Sequence, residues 1–388
     1  MIDPPIPFFL PEVGEDEIRE VVETLRSGWL TTGPRTRQFE QDFAELVGAR
    51  HAVAVNSATA ALHLALDAVG IQPGDEVLVP TMTFAATAEV VIYLGAKPVL
   101  VDCLPRTLNI NPEAAARAVT ARTRAIMPVH YGGRPCEMGP ILDLAERHGL
   151  KVIEDAAHAL PARYGDRTIG SIGDATCFSF YANKTITTGE GGMLTTDDAD
   201  LADRARIMSL HGISKDAWRR FTAEGNWYYE ILRPGYKYNM TDIAAALGLH
   251  QLRKAEEFRE ARQRCARWYD EALVEIDAVE LPPPAAADIT HAWHLYPIQL
   301  RLERLSIDRG EFIRQMSAAG ITTSVHWMPL HMHQYYRETY GYQLDDFPVA
   351  REAFDRLISL PIYPRMAQEQ VQRVAATVRR IAQENRGT

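Results

Sequence analysis

The sequence lacks long apolar runs, a cysteine framework and an excess of positive charge, and each absence argues against a class of protein. No stretch reaches the roughly 18 apolar residues of a membrane-spanning helix, and residues 1–5 lack the basic and then apolar layout of a secretion signal. The four cysteines are scattered without a CxxC pair, which is typical of reduced thiols. Acidic residues outnumber basic ones 51 to 41, and the resulting net charge of −10 repels nucleic acid. We therefore expect a soluble cytoplasmic protein whose partners include neither nucleic acid nor a membrane.

Several common catalytic motifs are also missing. No GxGxxG follows the first predicted strand, where residues 56–59 read NSAT, and no P-loop, HExxH or GxSxG occurs. A metal site would have to use His326, His331 and His333, but no carboxylate lies nearby at ligand spacing. We therefore expect no metal, and we interpret these histidines as a polar pocket wall or a surface loop.

From residue 50 onward, short apolar runs alternate with longer helical stretches. Continuous apolar strands separated by helices predict an α/β fold with a mainly parallel sheet that is flanked by helices. Ligands of such sheets bind beyond the carboxyl ends of the strands. The predicted strands are 52–55, 76–79, 98–101, 125–129 and 151–154.

The pattern changes after residue 170. A long helix is predicted from Thr241, a good N-cap, through residue 261, and a stiff proline run follows at 282–284. The remainder favours a smaller α+β domain, which gives an N-terminal arm and large domain over 1–255 and a small domain over 256–388. Its predicted elements are a strand over 294–302, a helix over 308–319, a strand over 322–325 and a closing helix over 367–383.

Three segments at predicted strand ends carry chemistry. Ser57 and Thr59 open a helix whose first N–H groups could bind an anion, although Ser57 could equally be an ordinary N-cap. Asp155 and His158 follow a buried strand, where their alternatives are a helix cap and a core histidine. Lys184 lies between an apolar strand and a glycine-containing loop, where desolvation would favour the neutral amine that forms a Schiff base.

An anion cradle, a deep carboxylate and an amine nucleophile together fit one ligand, pyridoxal 5′-phosphate. Its phosphate would take the helix N-terminus, its ring nitrogen would pair with Asp155, and its aldehyde would condense with Lys184. Phe84 follows another strand and could stack on the ring, or it could simply pack in the core.

The chain resembles the DegT/DnrJ/EryC1/StrS family of sugar aminotransferases, of the aspartate aminotransferase fold type I. The resemblance rests on several motifs in the right order, at residues 27–34 (SGWLTTGP), 154–158 (EDAAH), 184, 235–243 (GYKYNMTDI) and 360–364 (LPIYP). It implies an internal aldimine on Lys184, where a dehydratase subgroup carries histidine, and a catalytic role for Asp155 and His158, with His158 lying near the ring hydroxyl.

The resemblance also implies which residues hold the cofactor phosphate and which are shared in a homodimer. Asn239 or Lys237 would reach the phosphate of the partner subunit across the interface. The phosphate contacts within one chain would be Ser57, Ala58, Thr59 and Ser179.

Within the family, the chain is most similar to the UDP-4-amino-4-deoxy-L-arabinose synthase type, although Phe84 stands where that type has tryptophan. We therefore expect transfer of an amino group from L-glutamate to a nucleotide-linked 4-keto-sugar. Alternatives are another keto position, an inosose, a sugar dehydration, or a non-enzymatic protein on the same fold. The expected residues on the sugar side are Trp29, Thr32, His326 and His331.

Overall fold

The computed structural model describes residues 4–214 and 229–387 of the chain. The helices are α1 (Glu15–Ser27), α2 (Pro34–Val47), α3 (Ala58–Ala68), α4 (Ala86–Tyr93), α5 (Pro112–Ala118), α6 (Met138–His148), α7 (Ala199–Met208), α8 (Asp242–Arg253), α9 (Ala255–Leu273), α10 (Arg309–Ala318), α11 (Gln334–Tyr340), α12 (Pro348–Arg356) and α13 (Gln368–Glu384). The strands are β1 (His51–Val55), β2 (Glu76–Pro80), β3 (Lys97–Val101), β4 (Thr123–Ile126), β5 (Lys151–Asp155), β6 (Arg163–Tyr164), β7 (Arg167–Thr168), β8 (Ala175–Ser179), β9 (Gly192–Thr196), β10 (Val279–Glu280), β11 (Ile289–Thr290), β12 (Tyr296–Leu300) and β13 (Leu357–Leu360).

A seven-stranded sheet in the order β1-β9-β8-β5-β4-β2-β3 forms the centre of the fold. Strands β8, β5, β4, β2 and β3 run parallel to one another, whereas β9 is antiparallel to both β1 and β8. The predicted α/β fold with a mainly parallel sheet is therefore confirmed. The antiparallel insertion of β9 brings a second chain segment against the end of β8, where Lys184 follows.

Alternate residues of each central strand enter two different hydrophobic clusters, because successive side chains point to opposite faces of a sheet. In β1, Val53 and Val55 join the cluster that contains α3, while Ala52 and Ala54 join the opposite cluster. The same alternation in β5 places Ile153 on the α3 face. Asp155, two residues later, is thereby directed to that face as well.

A second core lies in the C-terminal part of the chain. It is built on the three-stranded sheet β10-β12-β13 and on helices α9, α10 and α13. Ile6 also packs into this core, and its backbone bonds to Gly320 O at 2.8 Å and to Thr322 N at 3.0 Å. The beginning of the chain thus contacts the C-terminal core, whereas the domain boundary after residue 255 remains a prediction.

Two predicted elements differ from the structure. The helix expected over 241–261 is divided at Lys254 into α8 and α9. The Lys254 ammonium pairs with the buried carboxylate of Glu17 at 2.7 Å, which holds this junction against α1. The strand expected over 322–325 is not formed, since only Ser324 bridges to Ser359 of β13. No helix within 4–214 and 229–387 has the length and apolar character needed to cross a membrane.

Candidate active site

A pocket of about 320 Å³ opens beyond the carboxyl ends of the parallel strands. Segments after β1, β2, β5 and β8 reach it, as the sheet topology requires. Seven of the sequence-predicted residues line it: Ala58, Thr59, Phe84, Asp155, His158, Lys184 and His326.

Asp155 is the last residue of β5 and is only 6% exposed. Its carboxylate accepts hydrogen bonds from Ala157 N at 3.1 Å and from Thr87 Oγ1 at 2.9 Å. Burial raises its pKa, while these two bonds and the charges of Lys184 and His130 oppose the rise. Because no cation in the described part of the chain is hydrogen-bonded to it, the carboxylate has room for a positively charged ligand group.

Lys184 follows β8 in a loop that returns to the sheet at β9. Desolvation lowers the pKa of its amine to about 8, the charge of Arg262 acts in the same direction, and Asp155 opposes both. At that pKa a substantial fraction of the amine is neutral near physiological pH. Such an amine can act both as a nucleophile and as a base.

The N-terminus of α3 forms the other end of the pocket. Ser57 caps it by accepting a hydrogen bond from Ala60 N at 3.1 Å, and Ala58 and Thr59 line the cavity. Gly192 of β9 lies so close that a β-carbon there would be 2.4 Å from the Ser57 carbonyl. The cradle therefore presents backbone N–H groups from a helix end that is held tightly against the sheet.

His158 accepts a hydrogen bond from Gly132 N at its Nδ1, at 3.3 Å, so we infer that Nε2 carries the proton. Burial lowers its pKa well below the ordinary range, which keeps the ring neutral. Trp327 stacks on it at 5.0 Å between centroids, and the His294 ring lies 4.2 Å away. These contacts fix the plane of the His158 ring within the pocket.

Three residues of this arrangement were missed by sequence reasoning. Thr87 donates a hydrogen bond to Asp155. The sequence signal that could have found it is the four-residue spacing of Thr83 and Thr87, whose hydroxyls bond to each other at 2.8 Å. His294 and Trp327 come from segments far along the chain that only the fold brings to the pocket.

The remaining predicted residues do not line the pocket of their own chain. Asn239 donates to Thr32 Oγ1 at 2.8 Å and accepts from Lys237 Nζ at 2.6 Å, and the Trp29 ring donates to Thr32 O at 3.1 Å. These four residues form one polar cluster outside the cavity. Their roles stay predictions.

Ser179 and His331 also lie outside the lining. Ser179, the last residue of β8, accepts a bond from Tyr181 N at 3.3 Å. His331 is fully buried, where its Nδ1 lies 2.8 Å from Thr81 Oγ1 and its Nε2 3.2 Å from Leu344 O. Both ring nitrogens of His331 are thus engaged within the protein, in contrast to the pocket-wall position that the sequence suggested.

These features fit pyridoxal phosphate. The buried carboxylate of Asp155 can take a protonated ring nitrogen, the amine of Lys184 can take an aldehyde, and the N-terminus of α3 can take a phosphate. The cofactor would thus supply a cation for Asp155, an aldehyde for Lys184 and an anion for the N-terminus of α3.

Comparisons with known proteins agree with this geometry. A model of the DegT/DnrJ/EryC1/StrS aminotransferase family matches residues 11–379. The spore coat polysaccharide biosynthesis protein SpsC of Bacillus subtilis is 51% identical over 377 residues, which are 97% of each chain. Spr1654 of Streptococcus pneumoniae, solved in its PMP form, superposes with a TM-score of 0.92 at 34% identity, covering 98% of this chain and 99% of that one.

A third similar protein is Helicobacter pylori PseC, an aminotransferase involved in the biosynthesis of pseudoaminic acid. It superposes with a TM-score of 0.91 at 28% identity, covering 98% of this chain and all of that one. Because the matched family is PLP-dependent and Spr1654 is also solved in a PLP form, the predicted cofactor is confirmed.

Proposed function

The chain belongs to the DegT/DnrJ/EryC1/StrS aminotransferase family, and on that premise we propose that it transfers an amino group from L-glutamate to a nucleotide-linked 4-keto-sugar. The observation that carries the proposal is that one pocket holds both Lys184, whose pKa is lowered to about 8, and the buried carboxylate of Asp155. SpsC and PseC support a sugar as the acceptor, since both are named for the building of a polysaccharide or a sugar acid.

Pyridoxal phosphate, when bound, supplies an aldehyde and an electron-withdrawing ring that stabilises negative charge on the substrate carbon. Asp155 would hold the protonated ring nitrogen, and the N-terminus of α3 would hold the phosphate. Lys184 Nζ would take the proton that leaves the donor carbon and give it to the cofactor carbon that carried the aldehyde, a role worth roughly 10²–10⁴-fold in rate. His158, neutral and fixed by Gly132 and Trp327, would orient the ring from its flank.

We also propose a cytoplasmic homodimer with shared active sites. The polar cluster of Trp29, Thr32, Lys237 and Asn239 lies outside its own pocket, which leaves it available to the pocket of a second copy. All four cysteines are buried free thiols, as expected of a reducing compartment.

The family resemblance to the UDP-4-amino-4-deoxy-L-arabinose synthase type favours a UDP-linked sugar. Lys184 weighs against sugar dehydration, because the dehydratase subgroup carries histidine at this position. Another keto position or an inosose would leave every pocket residue in the same role, so only substrate trials separate them.

The test is a panel of UDP-, dTDP- and GDP-linked keto-sugars and one inosose, each with L-glutamate, in which release of 2-oxoglutarate is measured. We expect turnover with a 4-keto-sugar and none in the Lys184→Ala variant. Turnover with the inosose alone, or undiminished turnover in Lys184→Ala, would overturn the proposal.

A further inference from the structure

His294 is a buried residue of the pocket whose ring has no hydrogen-bond partner. It is 4% exposed, and neither Nδ1 nor Nε2 bonds to any other group in the described parts of the chain. Buried polar groups of folded proteins are nearly always hydrogen-bonded. Because His294 lines the cavity, the missing partner is to be sought among the contents of the cavity.

The position of this ring is fixed by its backbone and its neighbours. Arg262, buried in α9, donates through Nη1 to the carbonyls of Trp293, His294 and Ile362 at 3.4, 3.3 and 2.9 Å. The amide of Leu295 donates to Gly132 O at 3.1 Å. The ring is therefore preorganised in the pocket, and neither of its nitrogens bonds to the described parts of the protein.

The charge state of the ring follows from its surroundings. Burial lowers the pKa of His294 well below its ordinary range, and the positive charges of Lys184 and Arg262 and the neighbouring rings of His158 and His326 act in the same direction. A neutral imidazole has one N–H donor and one lone-pair acceptor. The protonated nitrogen therefore needs a partner that accepts, and the other nitrogen needs a separate partner that donates.

We propose that His294 is a specificity-determining residue that binds hydroxyl groups of the keto-sugar. A hydroxyl both donates and accepts, so a hydroxyl can pair with either ring nitrogen, whether that nitrogen carries the proton or the lone pair. The carboxylates of glutamate only accept and would leave the lone pair of the imidazole unpaired. His294 therefore acts on the sugar half of the reaction and not on the glutamate half. This inference rests on the proposed function.

The two half-reactions can be measured separately, because bound pyridoxal and pyridoxamine forms differ in absorbance. The variant His294→Phe keeps a ring against His158 but removes both nitrogens, and His294→Gln restores a donor and an acceptor. The matched control is His291→Gln, in the same segment. In the unchanged protein, His291 Nδ1 accepts a hydrogen bond from Trp293 N at 2.8 Å, and His291 lines a different cavity.

In His294→Phe we expect kcat/KM for the keto-sugar to fall roughly 10–100-fold, mainly through KM, and kcat/KM for glutamate to change less than about twofold. His294→Gln should recover part of the loss, and His291→Gln should leave the ratio of the two halves unchanged. Binding of the matching 4-hydroxy nucleotide sugar to the apoenzyme, measured by calorimetry, should weaken by a similar factor in His294→Phe alone.

Three results would overturn the inference. An equal loss in both half-reactions would mean that His294 supports Lys184 or the stability of the fold, since Lys184 serves both substrates. No loss in either half would mean that the ring binds only water. If the wild type loads its amino form from glutamate but discharges it to no keto-sugar in the panel, the proposed function fails, and the inference with it.

Discussion

Replacing Asp155 with asparagine should stabilise the apoprotein above a defined pH. The carboxylate is 6% exposed and receives two hydrogen bonds, both from neutral donors. Burial raises its pKa, so the folded chain holds this proton more tightly than the unfolded chain does. The stability that the protonated acid contributes is present at low pH. It is lost as the pH rises from about 3.9, the unfolded value, through the raised folded pKa.

Asparagine has the shape of aspartate and carries no charge, so it avoids this loss. The gain should be on the order of 1 kcal/mol in the free energy of unfolding at neutral pH, and it should vanish in acid. Urea unfolding of the apoprotein across a pH series measures it directly. The same change would remove the partner that we propose for the ring nitrogen, and with it a charged hydrogen bond worth about 1.5–3 kcal/mol. Cofactor affinity should therefore fall by roughly 10–150-fold, with at least a comparable loss in kcat.

The matched control is Glu154→Gln, one residue earlier on the opposite face of β5. Glu154 is fully buried but receives three donors, from His130 Nε2 at 2.9 Å, Thr176 Oγ1 at 2.8 Å and Gly173 N at 2.7 Å. This variant should lose about 1–3 kcal/mol of stability while keeping the absorbance of bound cofactor. If Asp155→Asn destabilised the apoprotein as much as Glu154→Gln does, Asp155 would be a satisfied structural acid and the reasoning would be wrong.

Two further predictions follow from the other ends of the pocket. Because the pKa of Lys184 is lowered to about 8, the rate of cofactor attachment to the apoenzyme should rise about tenfold per pH unit and level off above that value. A stopped-flow pH series would contradict this if the rate kept rising to the ordinary lysine pKa of about 10.4. Gly192→Ala would place a β-carbon 2.4 Å from the Ser57 carbonyl, so we expect a loss of about 1–3 kcal/mol in stability together with weaker cofactor binding. Unchanged values in a cofactor titration and in urea unfolding would show that the cradle does not depend on this close contact.

Much of the large sheet was predictable because its strands are continuous apolar runs between helices. That pattern located Asp155 and Lys184 at strand ends, where an acid and an amine are costly unless they meet a ligand. The prediction of a strand over 322–325 was wrong because, within the described residues, the segment lacks the continuous pairing with neighbouring strands that it would need. Its residues suit a strand, but only Ser324 bridges to Ser359, and strand formation depends on partners that local sequence does not reveal.

The pocket residues that the sequence did not reveal share one physical property. Thr87, His294 and Trp327 contact Asp155 or His158, and these contacts exist only after folding. His331 is the opposite case: the sequence predicted it in the site, but its two ring nitrogens bond to Thr81 and Leu344. Residue type and spacing locate the groups that carry charge, whereas neutral groups that support them require the three-dimensional arrangement.

The origin of the pocket residues suggests how one site can serve two unlike substrates. The groups suited to the cofactor, Asp155, Lys184 and the start of α3, sit on the large sheet or on the segments that directly follow its strands. His294, His326 and Trp327 arrive from segments after α9, next to strands β12 and β13 of the second core. Neutral rings on that side can bind hydroxyl groups without altering the charge that Lys184 and Asp155 experience. The chemistry common to both half-reactions and the recognition of one substrate are thereby carried by different parts of the chain, so substitutions at His294 can change the sugar preference while transamination is preserved.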